Sequence, residues 1–107
     1  MAIGTKIFSG TSSSTKAELS KNAETVRAIH LLNKEVAVSY FQVFNLPSAS
    51  VTVGTTVPLF SIGVPASASM PLSFGDGQIL GGSGLTIAST TTRAGSTTAG
   101  VDYNIFA

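Results

Sequence analysis

Apolar and polar residues alternate over short runs along much of the chain. In residues 57–64, VPLFSIGV, the alternation places Phe60, Ile62 and Val64 on one face. A period of two is typical of a β-strand, in which successive side chains point to opposite faces. The same pattern predicts further strands at residues 17–20, 70–74, 85–90 and 101–106.

The segment TVRAIHLLN, residues 25–33, has apolar side chains on both faces of its predicted strand. Strict alternation puts Val26 and Leu32 on one face and Ile29 and Leu31 on the other. Such a strand is typical of the interior of a sheet. We therefore expect an interior strand that is packed on both sides or covered by a partner.

A second strand is predicted directly after this one. Residues 36–44, VAVSYFQVF, are rich in β-branched and aromatic side chains, which suit a pleated and half-buried surface. Only the short polar segment of Asn33, Lys34 and Glu35 separates the two runs. The spacing predicts a β-hairpin.

Proline residues bracket the predicted strand at 57–64. Pro58 lies near its start and Pro65 directly follows it. Because proline cannot donate a hydrogen bond to a neighbouring strand, this placement favours an edge strand or one with a limited ladder of hydrogen bonds.

A glycine turn is predicted after the strand at 70–74. Gly75 and Gly77 flank Asp76. Glycine adopts positive φ freely, and aspartate bonds back to nearby amides. We expect this turn to separate the strand from a short one at 78–80.

The predicted strands number about seven to eight, at a spacing of about ten residues, which is the pattern of an all-β protein. A helical turn at 17–24 is the alternative to the strand there, because Ala, Glu, Leu and Lys favour helix. The 107 residues suffice for one domain. We predict an all-β, single-domain antiparallel β-sandwich or jelly-roll-like barrel at residues 23–107, preceded by an N-terminal lead, partly flexible, at residues 1–22.

The lead contains a run of small hydroxyl residues, SGTSSST, at residues 9–15. These side chains bury too little apolar area to offset the entropy cost of ordering. We expect this run to be flexible, or ordered only against a neighbour.

Charged residues are few. They make up 10% of the chain, the formal net charge is +1, and none lies between Glu35 and Asp76. A nearly neutral surface repels other copies weakly and has no field that gathers nucleic acid, so association with protein is expected and nucleic-acid binding is not. No cysteine is present, which excludes disulfides and thiolate metal sites. Neither a signal peptide nor a membrane helix is expected, since every apolar run is interrupted.

Side chains suited to catalysis or ligand binding are scattered. His30 is the only histidine, and its mid-strand position favours a packed or interface role over that of a general base. Asp76 favours a turn over a calcium loop. The GGSG run at 81–84 lacks the following helix that gives a phosphate loop its affinity, and Tyr40 and Tyr103 are the candidates for sugar stacking. We predict that the chain is not an enzyme, with no catalytic, cofactor-binding or metal-binding residue and no cofactor.

A series of short motifs runs through residues 44–90. It consists of a VGT turn, a strand of the form P-x-x-x-I-x-(I/V)-P-A, an L-x-F strand, a glycine turn and a GL-x-(I/V)-A strand. The series resembles a family of small β-rich virion proteins of tailed bacteriophages, over about residues 25–106. The matching positions are Gly54, Thr55, Pro58, Ile62, Val64, Pro65, Ala66, Leu72, Phe74, Gly77, Gly84, Leu85 and Ala88.

This resemblance implies a capsid decoration (cement) protein, made in the host bacterial cytoplasm and carried on the outer capsid surface of the virion. It implies binding to the major capsid protein and to other copies of the chain, as a homotrimer or another symmetric assembly. We expect capsid contacts from residues 1–22 and from the uncharged loops at 45–56 and 91–100. The alternatives are a receptor- or glycan-binding module of a tail fibre or head fibre, and a small hydrolase that uses His30 with a carboxylate.

Overall fold

The computed structural model describes residues 7–22, 24–80 and 83–107, with residues 75–80 described by their backbone alone. The described chain is all-β, as predicted, and its only helical element is a single 3₁₀ turn at Ser48–Ser50. The eight strands are β1 (Ile7–Ser12), β2 (Ala17–Ser20), β3 (Glu24–Leu32), β4 (Ser39–Phe44), β5 (Phe60–Val64), β6 (Ser69–Leu80), β7 (Leu85–Thr90) and β8 (Val101–Phe106).

The strands form two antiparallel sheets that pack face to face. Sheet A has the order β1-β8-β3-β6, and sheet B has the order β2-β7-β4-β5. The predicted antiparallel β-sandwich is therefore confirmed, and the sheets do not close into a barrel. The predicted edge position of the strand before Pro65 is confirmed as well, since β5 ends sheet B.

The core lies between the two sheets and is built from alternate residues of their strands. Phe41 of sheet B and Tyr103 of sheet A meet near its middle, with ring centroids 5.7 Å apart. Met70, Leu72 and Phe74 of β6 pack against it from one edge. The buried core residues are Val26, Ile29, Leu31, Phe41, Val43, Val64, Leu85, Ile87, Val101, Tyr103 and Ile105.

Strand β3 is an interior strand, as predicted, but its two faces differ. Val26, Ile29 and Leu31 are all buried, whereas Arg27 and His30 are exposed. The pairing with β6 shifts register between Val26 and Ala28, so strict alternation does not hold across Arg27. The alternative of packing on both sides is wrong, because this bulge places Val26, Ile29 and Leu31 together on the inner face, and the alternative of cover by a partner stays a prediction.

The hairpin predicted between the strands now assigned as β3 and β4 is wrong, because these strands belong to different sheets. Asn33, which is fully buried, fixes the crossing. Its Nδ2 donates to the carbonyl oxygens of Ala37 and Val64 at 2.9 and 3.0 Å, and its Oδ1 accepts from the Glu35 amide at 2.8 Å. The side chain thus replaces the strand pairing that a hairpin would have supplied.

The turn predicted at Gly75–Gly77 is also wrong, since β6 runs without a break from Ser69 to Leu80. Val26 pairs with Gln78 and Ala28 pairs with Ser73, so the segment between Ser73 and Gln78 lies opposite Arg27 alone. Glycine within a strand often marks such an irregularity, because it permits the bend.

Residues 9–12, which belong to the run predicted to be flexible, form part of β1. The pairing of β1 with β8 is continuous from Ile7 opposite Phe106 to Ser12 opposite Val101. Main-chain hydrogen bonds to β8 require no large side chain. The Ser12 hydroxyl, which is buried, also donates to the carbonyl of Val101 at 2.9 Å. Strand β2, predicted in preference to a helical turn, is confirmed.

Candidate interaction surface

The outer face of sheet A is open over the described part of the chain, and we call it the open face. Twelve described side chains form its paired rows, and none of them is buried: seven are exposed and five are half-buried. Cross-strand pairing and alternation place on it Ile7, Ser9, Thr11, Ala28, His30, Leu32, Ser69, Pro71, Ser73, Asp102, Asn104 and Phe106.

The strand register arranges the open face in three rows across four strands. One end row is largely apolar, with Ile7, Phe106 and Ala28 followed by Ser73. The middle row runs from Ser9 through Asn104 and His30 to Pro71. The other end row is Thr11, Asp102, Leu32 and Ser69. A flat surface with apolar, amide and hydroxyl groups is suited to contact with protein.

The carboxylate on the open face, Asp102, is neutralised within the chain. Lys34 Nζ lies 2.7 Å from Asp102 Oδ2, and the Thr11 hydroxyl donates to Asp102 Oδ1 at 2.7 Å. The hydrogen bond from Lys34, followed by that from Thr11, lowers the pKa of Asp102 from its ordinary value. The open face therefore presents this ion pair at one margin, and the exposed Arg27 lies beside Ala28 at the opposite, apolar end row.

The outer face of sheet B differs, because the chain's own loops cover it. Phe44 of β4, Ala88 of β7 and Val51 form a second buried cluster, against which Leu46 and Val53 pack. The loop at 45–56, expected to contact a capsid, thus covers sheet B.

The loop at 91–100 also packs on sheet B. Gln42 of β4 donates through Nε2 to the Thr90 hydroxyl at 2.6 Å and to the Gly95 carbonyl at 3.2 Å. Arg93 lies over the ring of Tyr40, with 5.2 Å between its guanidinium carbon and the ring centroid. Both loops therefore stabilise the fold, and the loop at 91–100, expected to be uncharged, contains Arg93.

Two charged residues in the predicted lead, Lys16 and Glu18, hold the loop at 45–56. Lys16 Nζ donates to the carbonyls of Ser48 and Val51, and Glu18 Oε2 accepts from the Ser48 amide at 2.7 Å. Charges are therefore directed to backbone groups of the same chain. This use of charge inside the molecule agrees with the nearly neutral surface that the composition indicated.

The candidates for chemistry are not brought together. The cross-strand neighbours of His30 are Asn104 and Pro71, neither of which exchanges protons. No group of three or more His, Cys, Asp or Glu suited to a metal lies within the described residues. Tyr103 is buried in the core, and its pKa is raised by that burial.

The remaining candidates form no site within the part of the chain that the structure describes. The side chain of Asp76 and two glycines of the run at 81–84 lie outside the described residues. Gly84 is buried, and a Cβ there would meet the backbone of Pro47 at 2.8 Å. A shallow depression of about 320 Å³ is lined by residues that include Lys16, Val51 and Thr52. No helix in the described part has the length and apolarity needed to cross a membrane.

Sequence reasoning missed that one sheet is covered and the other open, because both sheets alternate in a similar way. One signal was present in LTIAST, residues 85–90, whose outward positions are the small residues Thr86, Ala88 and Thr90. All six residues of β7 are buried.

Comparison with protein-family models, with curated proteins and with solved structures found no match to the chain.

Proposed function

We propose that this chain is a capsid decoration (cement) protein of a tailed bacteriophage, a non-enzymatic protein of the outer capsid surface. Two observations support the proposal. The motifs in residues 44–90 resemble those of small virion proteins, and the fold has an open sheet face with little charge. The open face is the observation that carries the proposal.

The proposed mechanism is stabilisation by mass action. A protein that binds the assembled shell and not its free subunits shifts the equilibrium towards the shell. Bridging two major capsid proteins with one symmetric assembly of this chain would supply that preference.

The open face is the proposed contact with the major capsid protein. Burying an unpaired charge in an interface costs on the order of several kcal/mol. The paired Asp102 lies in an end row of this face, and its centre holds Asn104 and His30. Docking on the middle row therefore requires little desolvation of charge, whereas the loops on sheet B already pack against their own strands.

The proposal is tested by heating native particles with and without the protein. We expect particles that lack it to rupture at a lower temperature, and the purified protein to restore the original value when added back. Cryo-electron microscopy of the particle should show its density on the capsid. An unchanged rupture temperature, or density at the tail tip alone, would contradict the proposal.

A pair of variants tests the contact surface. His30→Glu places a charge at the centre of the open face, and Thr97→Glu places one in the exposed part of the loop at 91–100. We expect the His30 variant to weaken binding to stripped particles and the Thr97 variant to bind as the unmodified protein does. If the Thr97 variant binds more weakly than the His30 variant, the contact belongs to the loop at 91–100 instead.

The alternative of a glycan-binding fibre module needs an accessible aromatic ring. Tyr40 lies under Arg93, and Tyr103 is buried in the core, so neither offers an open ring face. The described residues thus give this alternative no specific support.

A further inference from the structure

The four edge strands of the sandwich differ in how they are protected. Sheet A ends in β1 and β6, and sheet B ends in β2 and β5. The unpaired backbone groups of an edge strand can pair with another chain, and natural proteins block this with proline, charge, bulges or short strands.

The two edges on one side of the sandwich, β6 and β5, are both blocked. Strand β6 contains Pro71 and is irregular opposite Arg27. Strand β5 is followed by Pro65, and Arg93 Nη1 donates to the carbonyl of Ser61 at 3.0 Å. A strand approaching β6 would find no backbone donor at Pro71. A strand approaching β5 would find the Ser61 carbonyl already accepting from Arg93.

On the other side of the sandwich, β2 is blocked and β1 is not. Strand β2 has four residues, includes Glu18, and shifts register between Glu18 and Ser20. Strand β1, IFSGTS, has six residues with no proline, no charge and no register shift against β8. Ile7 at its start is 57% exposed. Within the described residues, β1 is thus the one edge without a protective feature.

We propose that β1 pairs antiparallel with β1 of a second copy of this chain, joining two A sheets into one continuous sheet. The identity of the pairing partner follows from the protection of the other three edges. Because the other three edges are blocked, strand pairing can join only β1 to β1, and such a like-to-like contact closes at two copies. The lack of charge in β1 means that two identical strands meet without repulsion.

The register of the pair is restricted by the pleat. Ile7, Ser9 and Thr11 point to the open face, whereas Phe8, Gly10 and Ser12 point inward. Residues directly opposite each other in an antiparallel pair share a face. The two-fold axis therefore lies between the two copies of Ser9 or between the two copies of Gly10. The open faces of the two chains then lie side by side.

This dimer does not rest on the proposed capsid role, since it is a property of the free protein. It also differs from the homotrimer that the resemblance implies. A failure to dimerise would leave the capsid proposal standing, and a failure to bind capsids would leave the dimer standing.

Sedimentation equilibrium of the full chain, from micromolar to near-millimolar concentration, tests the pairing. We expect a monomer–dimer equilibrium, which Ser9→Lys and Ser9→Glu each weaken about tenfold through repulsion between like charges. Mixing the two variants should restore dimerisation, because the two position-9 side chains then carry opposite charges on the same face, directly opposite when the axis lies at Ser9 and diagonal when it lies at Gly10. The matched control is Ser69→Lys, an exposed serine on the protected edge β6 of the same sheet, which should dimerise normally.

Cysteine cross-linking provides a second test, because the natural chain has no cysteine. Directly paired residues of adjacent strands lie within disulfide range, at about 4.5–5.5 Å between Cα atoms. We expect Ser9→Cys alone, or a mixture of Ser9→Cys and Thr11→Cys when the axis lies at Gly10, to form a disulfide-linked dimer on mild oxidation, and Ser69→Cys to stay monomeric.

Several outcomes would overturn the inference. A wild-type chain that stays monomeric throughout, a trimer, or equal loss of dimer in the Ser9 and Ser69 lysine variants would each exclude β1 pairing. Binding of β1 to the major capsid protein without self-association would assign the edge to that partner instead.

Discussion

At the residue scale, Asn33 shows how one buried polar side chain fixes the path of the backbone. Its amide nitrogen contacts the carbonyls of Ala37, Val64 and Pro65, and its oxygen accepts from the Ser39 hydroxyl as well as from the Glu35 amide. These groups come from the crossing segment and from the end of β5. Asn33 therefore ties the two sheets together where β3 leaves sheet A.

We expect Asn33→Ala to lower the free energy of unfolding by about 2–3 kcal/mol, because buried carbonyls lose their donor. Asn33→Asp should cost more, since a carboxylate would face those carbonyl oxygens. Urea denaturation measures both changes. Asn104→Ala, on the open face, is the control with little expected effect, and an equal loss in the two alanine variants would contradict the role of Asn33.

A second prediction at this scale concerns Asp102 and acid. Its pKa is lowered in the folded protein, so its contribution is present above the ordinary value of 3.8 and is lost as the pH falls through the lower, folded value. Since Lys34 is largely exposed, the contribution should be below about 1 kcal/mol. We expect the stability difference between the natural chain and Asp102→Asn to shrink at strongly acidic pH. A difference that persists there would contradict this assignment.

At the scale of elements, the loop at 45–56 is held against β7 by close backbone contact at Gly84. A Cβ on this residue would lie 2.8 Å from the nitrogen and 2.9 Å from the Cα of Pro47. The Thr86 hydroxyl adds a hydrogen bond to the carbonyl of Leu46 at 2.8 Å. The loop thus behaves as a cover for sheet B whose position depends on the absence of a side chain at Gly84.

We expect Gly84→Ala to lower stability by about 1–3 kcal/mol, because backbone must move to admit the methyl group. Thermal unfolding measures the change. Gly100→Ala is the matched control, since its Cβ would meet only the end of the flexible Glu35 side chain, at 3.2 Å. Equal destabilisation by the two substitutions would show that the contact with Pro47 is not the cause.

At the scale of the whole molecule, the nearly neutral surface predicts that salt has little effect on binding to the capsid. Exposed charges interact over about 8–10 Å at moderate ionic strength, and steering by charge fades as salt is added. Binding of this chain to stripped capsids should change less than about threefold between low and high salt. Titrations at two ionic strengths test this, and a steep loss of affinity would indicate a charged interface.

Much of the fold could be predicted from the sequence because strand formation leaves a local signal. The period of two located β5, β7 and β8, and the bracketing prolines located an edge. The errors have a common origin. Arg27 shifts the alternation by one residue, Gly75–Gly77 continue a strand, and Asn33 sends the chain to the other sheet. Each depends on a partner strand that is distant in sequence.

The sequence by itself determined that the chain forms short strands with a nearly neutral surface, since alternation and charge are properties of neighbouring residues. Only the tertiary structure decided which strands share a sheet, which sheet face the loops cover, and which edge stays open. Those outcomes depend on hydrogen bonds and packing between distant segments, such as Gly84 against Pro47 and Arg93 against Ser61. The same residues in another strand order would have covered a different face.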